Sequence, residues 1–258
     1  MAAPGRRNED FAAAADGLAV VLDGVTPPID GRSGCVHDVP WFVERLGSTL
    51  LDLAGTREDR PLTGCLAAAI EATAAAHRRT CDLSHRRTPQ ATVAMVRWDD
   101  TRVEHLVLSD AAVLLGNQGG AVTPVLDRRL DELRARSDLA RLRSESGTAY
   151  RAAMEALRNA RGGFHTAAAD PAVVAQAVTG STPRTAVSAL AVLTDGATRW
   201  REVFHLGDWA ELFAILRAGG PATLIERVRT AEAEDPDQRD FPRGKTFDDA
   251  SAVYVDFG

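Results

Sequence analysis

Two apolar runs of strand length stop at the same dipeptide. Leu18-Ala19-Val20-Val21-Leu22 ends at Asp23-Gly24, and the run from Val187 to Thr194 ends at Asp195-Gly196. Short apolar runs bounded by turn residues read as strands inside a sheet core. Ala91 to Val96 turns at Asp99-Asp100 and returns as Val103 to Leu108. Ala111 to Leu115 and Ala121 to Val125 continue this meander across Gly116-Asn117 and Gly119-Gly120. Phe164 to Ala168, Ala175 to Thr179 and Ser251 to Phe257 are further strand candidates. Most links are too short for a crossover helix, so the strands are expected to pair antiparallel.

Helical periodicity fills the gaps. Residues 25–40 hold Pro27, Pro28, Gly31, Gly34 and Pro40 and read as a loop. Trp41, Phe42, Leu46, Leu50, Leu51 and Leu53 then recur at helical spacing, and a second helix is expected from Pro61 to about Arg79. Asp127 to Arg161 reads as one or two amphipathic helices broken near Ser146-Gly147, and Leu206 to Ala218 and Pro221 to Glu232 as two more. Strands, then helices, then strands again predict a layered α+β domain. No shift of composition marks a boundary, so one domain is expected over residues 1–258.

Composition narrows the function. Hydrophobic residues are 45% of the 258, too many for a disordered chain. The net charge of −6 argues against nucleic acid as a partner. No apolar run approaches the ~20 residues of a membrane span. The opening residues MAAPGRRNEDF lack the apolar core of a secretory signal, so a cytoplasmic chain is expected. Lys245 is the only lysine; the other basic residues are arginines, a bias of composition rather than a set of chosen anion ligands.

Cys35, Cys65 and Cys81 form no CxxC pair, and three reduced thiols are expected rather than a disulfide. His77, Cys81 and His85 are spaced four apart, the spacing of one helix face, and make a weak soft-metal candidate. The arginines at 78, 79, 86 and 87 read first as a solvated helix end, second as a patch for an acidic partner.

The acidic residues stand at strand ends. Glu9-Asp10 precede the run at 18–22, Asp23 and Asp195 end strands, and Asp248-Asp249 enter the last one. Strand ends at one sheet edge gather side chains distant in sequence. Carboxylates brought together repel one another unless cations sit between them, and an all-oxygen set selects hard ions such as Mg²⁺ or Mn²⁺. Each Asp-Gly alone reads as a turn before it reads as a metal site.

Taken in order, these segments resemble the metal-dependent protein phosphatase family, the PPM or protein phosphatase 2C type. The resemblance rests on Arg6-Arg7-Asn8-Glu9-Asp10, Val20-Val21-Leu22-Asp23-Gly24, Pro89-Gln90-Ala91-Thr92-Val93, Leu108-Ser109-Asp110-Ala111-Ala112, Leu193-Thr194-Asp195-Gly196 and Asp248-Asp249-Ala250-Ser251, which span nearly the whole chain. It implies an α+β, four-layer α-β-β-α sandwich of two antiparallel sheets flanked by helices. It implies two Mn²⁺ or Mg²⁺ ions: Asp23 bridging, Gly24 ligating through its carbonyl, Glu9 on one ion, Asp195 and Asp248 on the other. Asp10 would orient the attacking water, and Asp110 with Asp195 would hold a third, weaker ion. A bridging hydroxide would attack phosphorus in line, with no phosphoenzyme. Arg6 or Arg7, with Arg6 preferred, would bind phosphate, and His37 is a weak candidate to protonate the leaving group.

The chain departs from that pattern in places. Position 5, where the family carries its phosphate-binding arginine, is glycine. The family's Gly-Asp-Ser-Arg is reduced to Asp110, and Val25-Thr26-Pro27-Pro28 replaces a glycine-rich continuation. Three functions are therefore carried forward: a phosphatase acting on phosphoserine or phosphothreonine in proteins, the same chemistry on a small phosphorylated metabolite, and a pseudophosphatase that binds a partner without turnover.

Overall fold

The computed structural model of the protein describes residues 1–26, 33–56 and 59–258, so Pro27, Pro28 and Gly31 of the expected loop lie outside the described residues. Nine strands are described: β1 (Asp10–Ala15), β2 (Leu18–Gly24), β3 (Ala91–Trp98), β4 (Arg102–Leu108), β5 (Ala112–Gly116), β6 (Val122–Leu126), β7 (Val178–Pro183), β8 (Ala189–Leu193) and β9 (Ala252–Asp256). They form two sheets, ordered β1-β2-β3-β4-β7 and β6-β5-β8-β9. Every pairing is antiparallel.

The continuous apolar run of β2 has a physical cause. Leu18, Val20 and Leu22 face helices α1 (Val39–Thr56) and α2 (Leu62–His77), packing with Phe42, Leu46 and Ile70. Ala19 and Val21 point the other way, into the layer between the sheets, where they join Val113, Leu190 and Val192. A strand covered on both faces has no polar face to alternate. Helices α6 (Asp195–Glu202) and α7 (Trp209–Glu234) cover the second sheet through Trp200, Leu212, Phe213 and Leu216. The layers therefore run helix, sheet, sheet, helix, as expected. Short helices α3 (Arg129–Ala135), α4 (Ser137–Glu145) and α5 (Gly147–Leu157) close around Leu130, Leu133, Leu139 and Phe164.

Several elements differ from the sequence reading. Asp10 lies inside a strand, β1, instead of before the first one. The run DFAAAA of β1 is mostly alanine, so it shows no apolar strand signal. Phe164 to Ala168 makes only isolated bridges, and Pro171–Gln176 is a 3-10 turn, capped by the Asp170 carboxylate on the Ala172 N–H. The two helices read over Leu206 to Ala218 and Pro221 to Glu232 are both present, starting at Trp209 and joined across a kink as α7. Gly220, at φ 73°, breaks its path just before Pro221, which has no N–H to donate.

Candidate metal centre

The site begins as a register. Asp10 and Asp23 are direct cross-strand partners at one end of the β1-β2 pair. At the matching end of the other sheet, Leu193 of β8 pairs with both Ala112 of β5 and Ala252 of β9. Asp110, Asp195 and Asp248 follow or precede those paired residues by a few positions, so they emerge where the sheets end together. The Thr194 hydroxyl joins the sheets by donating to Asp10 Oδ2 at 3.0 Å, and it accepts from the Ser251 N–H at 2.9 Å.

Neither Asp-Gly pair is a turn. Gly24 ends β2, and Gly196 lies in the first turn of α6. The second point corrects the sequence reading: Asp195 opens a helix rather than a turn. A Cβ on Gly24 would overlap Val39 and the Glu9 carbonyl, and one on Gly196 would overlap the Asp249 carbonyl. Both glycines thus permit close backbone approach, drawing Glu9 against Asp23 and Asp249 against Asp195.

Asp249 works as a clamp. Its two carboxylate oxygens accept from the Ala3 N–H at 2.7 Å and the Glu9 N–H at 2.6 Å, which ties the N-terminal segment to the entry of β9. Glu9 is buried and accepts from the Thr26 hydroxyl at 3.0 Å.

The electrostatics are those of crowded carboxylates. Burial, then Asp195, Asp10, Asp248 and Asp110, raise Asp23 well above the usual carboxylate range. Burial with Asp248 and Asp110 pushes Asp195 up to about 8, against the pull of Arg199 and Lys245. Burial, with smaller contributions from Asp249 and Asp248, pushes Asp10 up to about 6. Burial also raises Glu9. Asp23, Asp110 and Asp195 are only half-buried, so the group faces a recess that solvent reaches. Asp10 Oδ1 is buried and has no hydrogen-bond partner among the described residues. An all-oxygen donor set, mutual repulsion and an orphaned carboxylate oxygen fit a hard divalent cation.

Asp248 is a partial exception. Its Oδ1 accepts from Lys245 Nζ at 2.6 Å and its Oδ2 from Arg199 at 2.6 Å. Arg199 also pairs with the fully buried Glu232 at 2.7 Å. Burial pulls the Lys245 ammonium pKa down, but Asp248, Asp23 and Asp195 pull harder the other way, so it is raised and the lysine stays a cation. Lys245, Arg199 and Glu232 were missed in the sequence reading. A lone lysine in an arginine-rich chain, three residues before Asp248, was the one signal available.

The other expected residues divide. Arg6 reaches Glu9 at 3.8 Å and is half exposed, whereas Arg7 is engaged by Asp38. Of the two, Arg6 is the one placed at the recess. Asp110 is met by Arg134 at 3.5 Å. Ser109 holds φ 71° where the family motif has glycine, and Asp127 accepts from its N–H at 3.2 Å. His37 lies elsewhere. Its Nδ1 is 3.4 Å from Cys81 Sγ and 3.6 Å from Cys35 Sγ, because the end of the loop before α1 folds onto the turn after α2. The cysteine reading is corrected too: Cys35 and Cys81 are joined as a disulfide, and buried Cys65 is the free thiol. His85 does not share a face with His77 and Cys81, because α2 ends at His77. Its Nδ1 instead accepts from the Arg87 N–H at 3.2 Å.

No protein-family model and no curated protein matches the sequence. Solved structures do match. The PPM Ser/Thr phosphatase MsPP from Mycobacterium smegmatis, in complex with cacodylate, aligns over 100% of this chain and 96% of its own, at 14% identity and TM-score 0.58. The serine/threonine phosphatase PstP/Ppp of Mycobacterium tuberculosis aligns over 99% and 95%, at 16% identity and TM-score 0.58. The chain has the PPM phosphatase fold. A structure of the PstP catalytic domain in complex with two manganese ions aligns over 99% of this chain and 94% of its own, at 16% identity and TM-score 0.54. At these identities the likeness is one of fold. Among the described residues, no helix of this PPM-fold chain is long and apolar enough to cross a membrane.

Proposed function

We propose that the chain, acting as one domain over residues 1–258, is a Mn²⁺- or Mg²⁺-dependent phosphomonoesterase working in the cytoplasm on phosphoserine or phosphothreonine in proteins. The observation that carries this reading is the half-buried Asp23 opposite Asp10 in the β1-β2 register, with Asp110, Asp195 and Asp248 beside the paired end of the second sheet of a PPM fold.

In this reading Asp23, Asp195, Glu9, Asp248 and the Gly24 carbonyl would hold two cations, and Asp110 with Asp195 would hold a third. Bound cations would neutralise the carboxylates and supply the Lewis acidity for phosphate ester hydrolysis. The chain's own residues do the positioning. Asp10, with Oδ2 fixed by Thr194 and Oδ1 free, accepts a proton from the attacking water and aims it. Arg6 and Arg134 present guanidinium groups beside Glu9 and Asp110, where a phosphate dianion is held in line. His37 has no part in this reading.

The test is hydrolysis of p-nitrophenyl phosphate with Mn²⁺, lost on adding EDTA and lost in Asp23→Ala. Full activity in Asp195→Ala would remove this site from consideration. A panel of phosphopeptides against small phosphorylated metabolites then separates the two substrate classes.

One observation favours a second reading, the pseudophosphatase. Both oxygens of Asp248 already carry protein cations, Lys245 and Arg199, so one expected metal ligand is satisfied from within. This reading predicts partner binding that needs no divalent ion and no turnover with any of them.

A further inference from the structure

A second group of donors lies away from the acidic recess. Cys35, His37, His77 and Cys81 each offer one ligand atom, and these four atoms all lie within 4.8 Å of one another. Two come from the last residues before α1, one from the end of α2 and one from the turn that follows it.

Three of the four sulfur-to-nitrogen edges have the length of a coordination tetrahedron, while the sulfur-to-sulfur edge is a covalent bond that would have to open. Zinc sits about 2.3 Å from sulfur and about 2.0 Å from nitrogen, which makes a sulfur-to-nitrogen edge of about 3.5 Å. The three such edges here are 3.6 Å from Cys35 Sγ to His37 Nδ1, 3.6 Å from Cys35 Sγ to His77 Nδ1 and 3.4 Å from Cys81 Sγ to His37 Nδ1. A disulfide has no need of imidazole nitrogens, and its sulfurs are poor hydrogen-bond acceptors. Two rings nonetheless present Nδ1 to this sulfur pair. Reduced to thiols, the same pair needs only to part by the width of one ion.

The surroundings hold these ligands in place. Trp41 stacks on His37 with ring centroids 3.9 Å apart, and on His77 at 5.2 Å. The Gly34 carbonyl accepts from the Asp82 N–H at 2.8 Å, pinning the loop to the turn. Gly34 itself takes φ 69°, and a Cβ there would run into His85, so glycine is needed for the approach.

We propose that the reduced Cys35 and Cys81, with His37 and His77, form a closed four-ligand zinc site that staples the end of the 25–38 loop to the end of α2. Binding by the dithiol form releases two thiol protons to solvent and transfers no electrons. Four protein ligands leave no open position, so the role is structural. Asp38, the residue after His37, pairs with Arg7, two residues before Glu9. The staple therefore anchors the residue that holds Arg7 of the N-terminal segment, and it stands whether or not the recess is catalytic.

The experiment uses the full chain, purified under a thiol reductant without added metal. Elemental analysis is expected to find one zinc per chain, and thiol titration in denaturant with chelator to find all three cysteines reduced. Replacing zinc with Co²⁺ is expected to produce thiolate-to-cobalt charge-transfer absorption, a signal that carboxylates cannot give. Asp23→Asn is expected to keep that absorption, and the Cys35→Ser, Cys81→Ser double variant to lose it together with the zinc. Should that variant fail to fold, the cobalt spectrum of the unaltered chain decides alone. A zinc-free chain in which only Cys65 titrates, or a cobalt spectrum without thiolate bands, overturns the proposal.

Discussion

The acidic recess and the cysteine-histidine cluster are both gatherings of metal-ligand chemistry, built by opposite routes. The recess uses hard oxygen donors from both sheets, separated by nearly the whole chain and brought together by strand register. The cluster uses soft sulfur and nitrogen donors from two neighbouring segments, brought together by one loop folding onto one helix end. In the recess the donors repel one another, so their closeness is a cost that the sandwich must hold. In the cluster two imidazole rings face the Cys35–Cys81 sulfur pair, and no carboxylates are crowded together. The first site depends on the fold, whereas the second reinforces it.

The sharpest way to break this comparison is at Asp23. Asn in its place is expected to lower kcat/KM for p-nitrophenyl phosphate with Mn²⁺ by about 10³-fold, or about 4 kcal/mol of transition-state stabilisation. The cobalt-thiolate spectrum should stay the same, since the two sites share no ligand. Loss of both together would show that they are one unit.

Gly196→Ala tests whether the recess depends on close backbone approach. Its new methyl group would fall on the Asp249 carbonyl. A loss of about 3 kcal/mol in urea unfolding is expected. Gly55→Ala, where a Cβ meets nothing within 4 Å, should change little by comparison.

The repulsion within the recess has a pH signature. Asp195, raised from 3.8 to about 8, and Asp10, raised to about 6, keep their protons in the folded, metal-free chain after the unfolded chain has lost them. The unfolded state binds fewer protons in that window, so folding stability falls as pH rises from about 4 to about 8. Melting temperatures measured across that range without divalent ions should decline. Mn²⁺ should flatten the decline by taking the place of the protons. A rising curve without metal would contradict the crowding.

The smallest expected effect is at Lys245. Met in its place removes the ammonium beside Asp248 and leaves the recess more negative. Mn²⁺ binding measured by calorimetry should tighten by about tenfold, or about 1.4 kcal/mol. Weaker binding would mean that Lys245 holds Asp248 in its ligating position instead of competing for it.

Much of the sandwich was legible in the residues because β2, β3, β4, β5 and β8 are apolar runs with turn chemistry between them. The missed strand β1 is mostly alanine, and its pairing comes from β2 beside it rather than from its own preference. The break in α7 was readable from Gly220-Pro221. That both halves pack into one core, through Leu212, Leu216, Leu224 and Val228, was not. At the acidic site, the positions of Glu9, Asp10, Asp23, Asp195 and Asp248 stood out as acids at strand ends. The function of their glycines did not, because a close approach involves a second segment that no local pattern contains.

By itself, the chain's order of apolar runs and turns determined a layered α+β domain of antiparallel strands with carboxylates at strand ends, and the family resemblance added the two-sheet sandwich. Local periodicity and turn chemistry act within a few residues, so they are written in the sequence. Only the tertiary structure decided which charged groups meet. It set Lys245 and Arg199 on Asp248, turned His37 away from the acids, and joined it to Cys35, His77 and Cys81. Such meetings depend on how distant segments pack, and an electrostatic or coordinating contact exists only once that packing has set the distance.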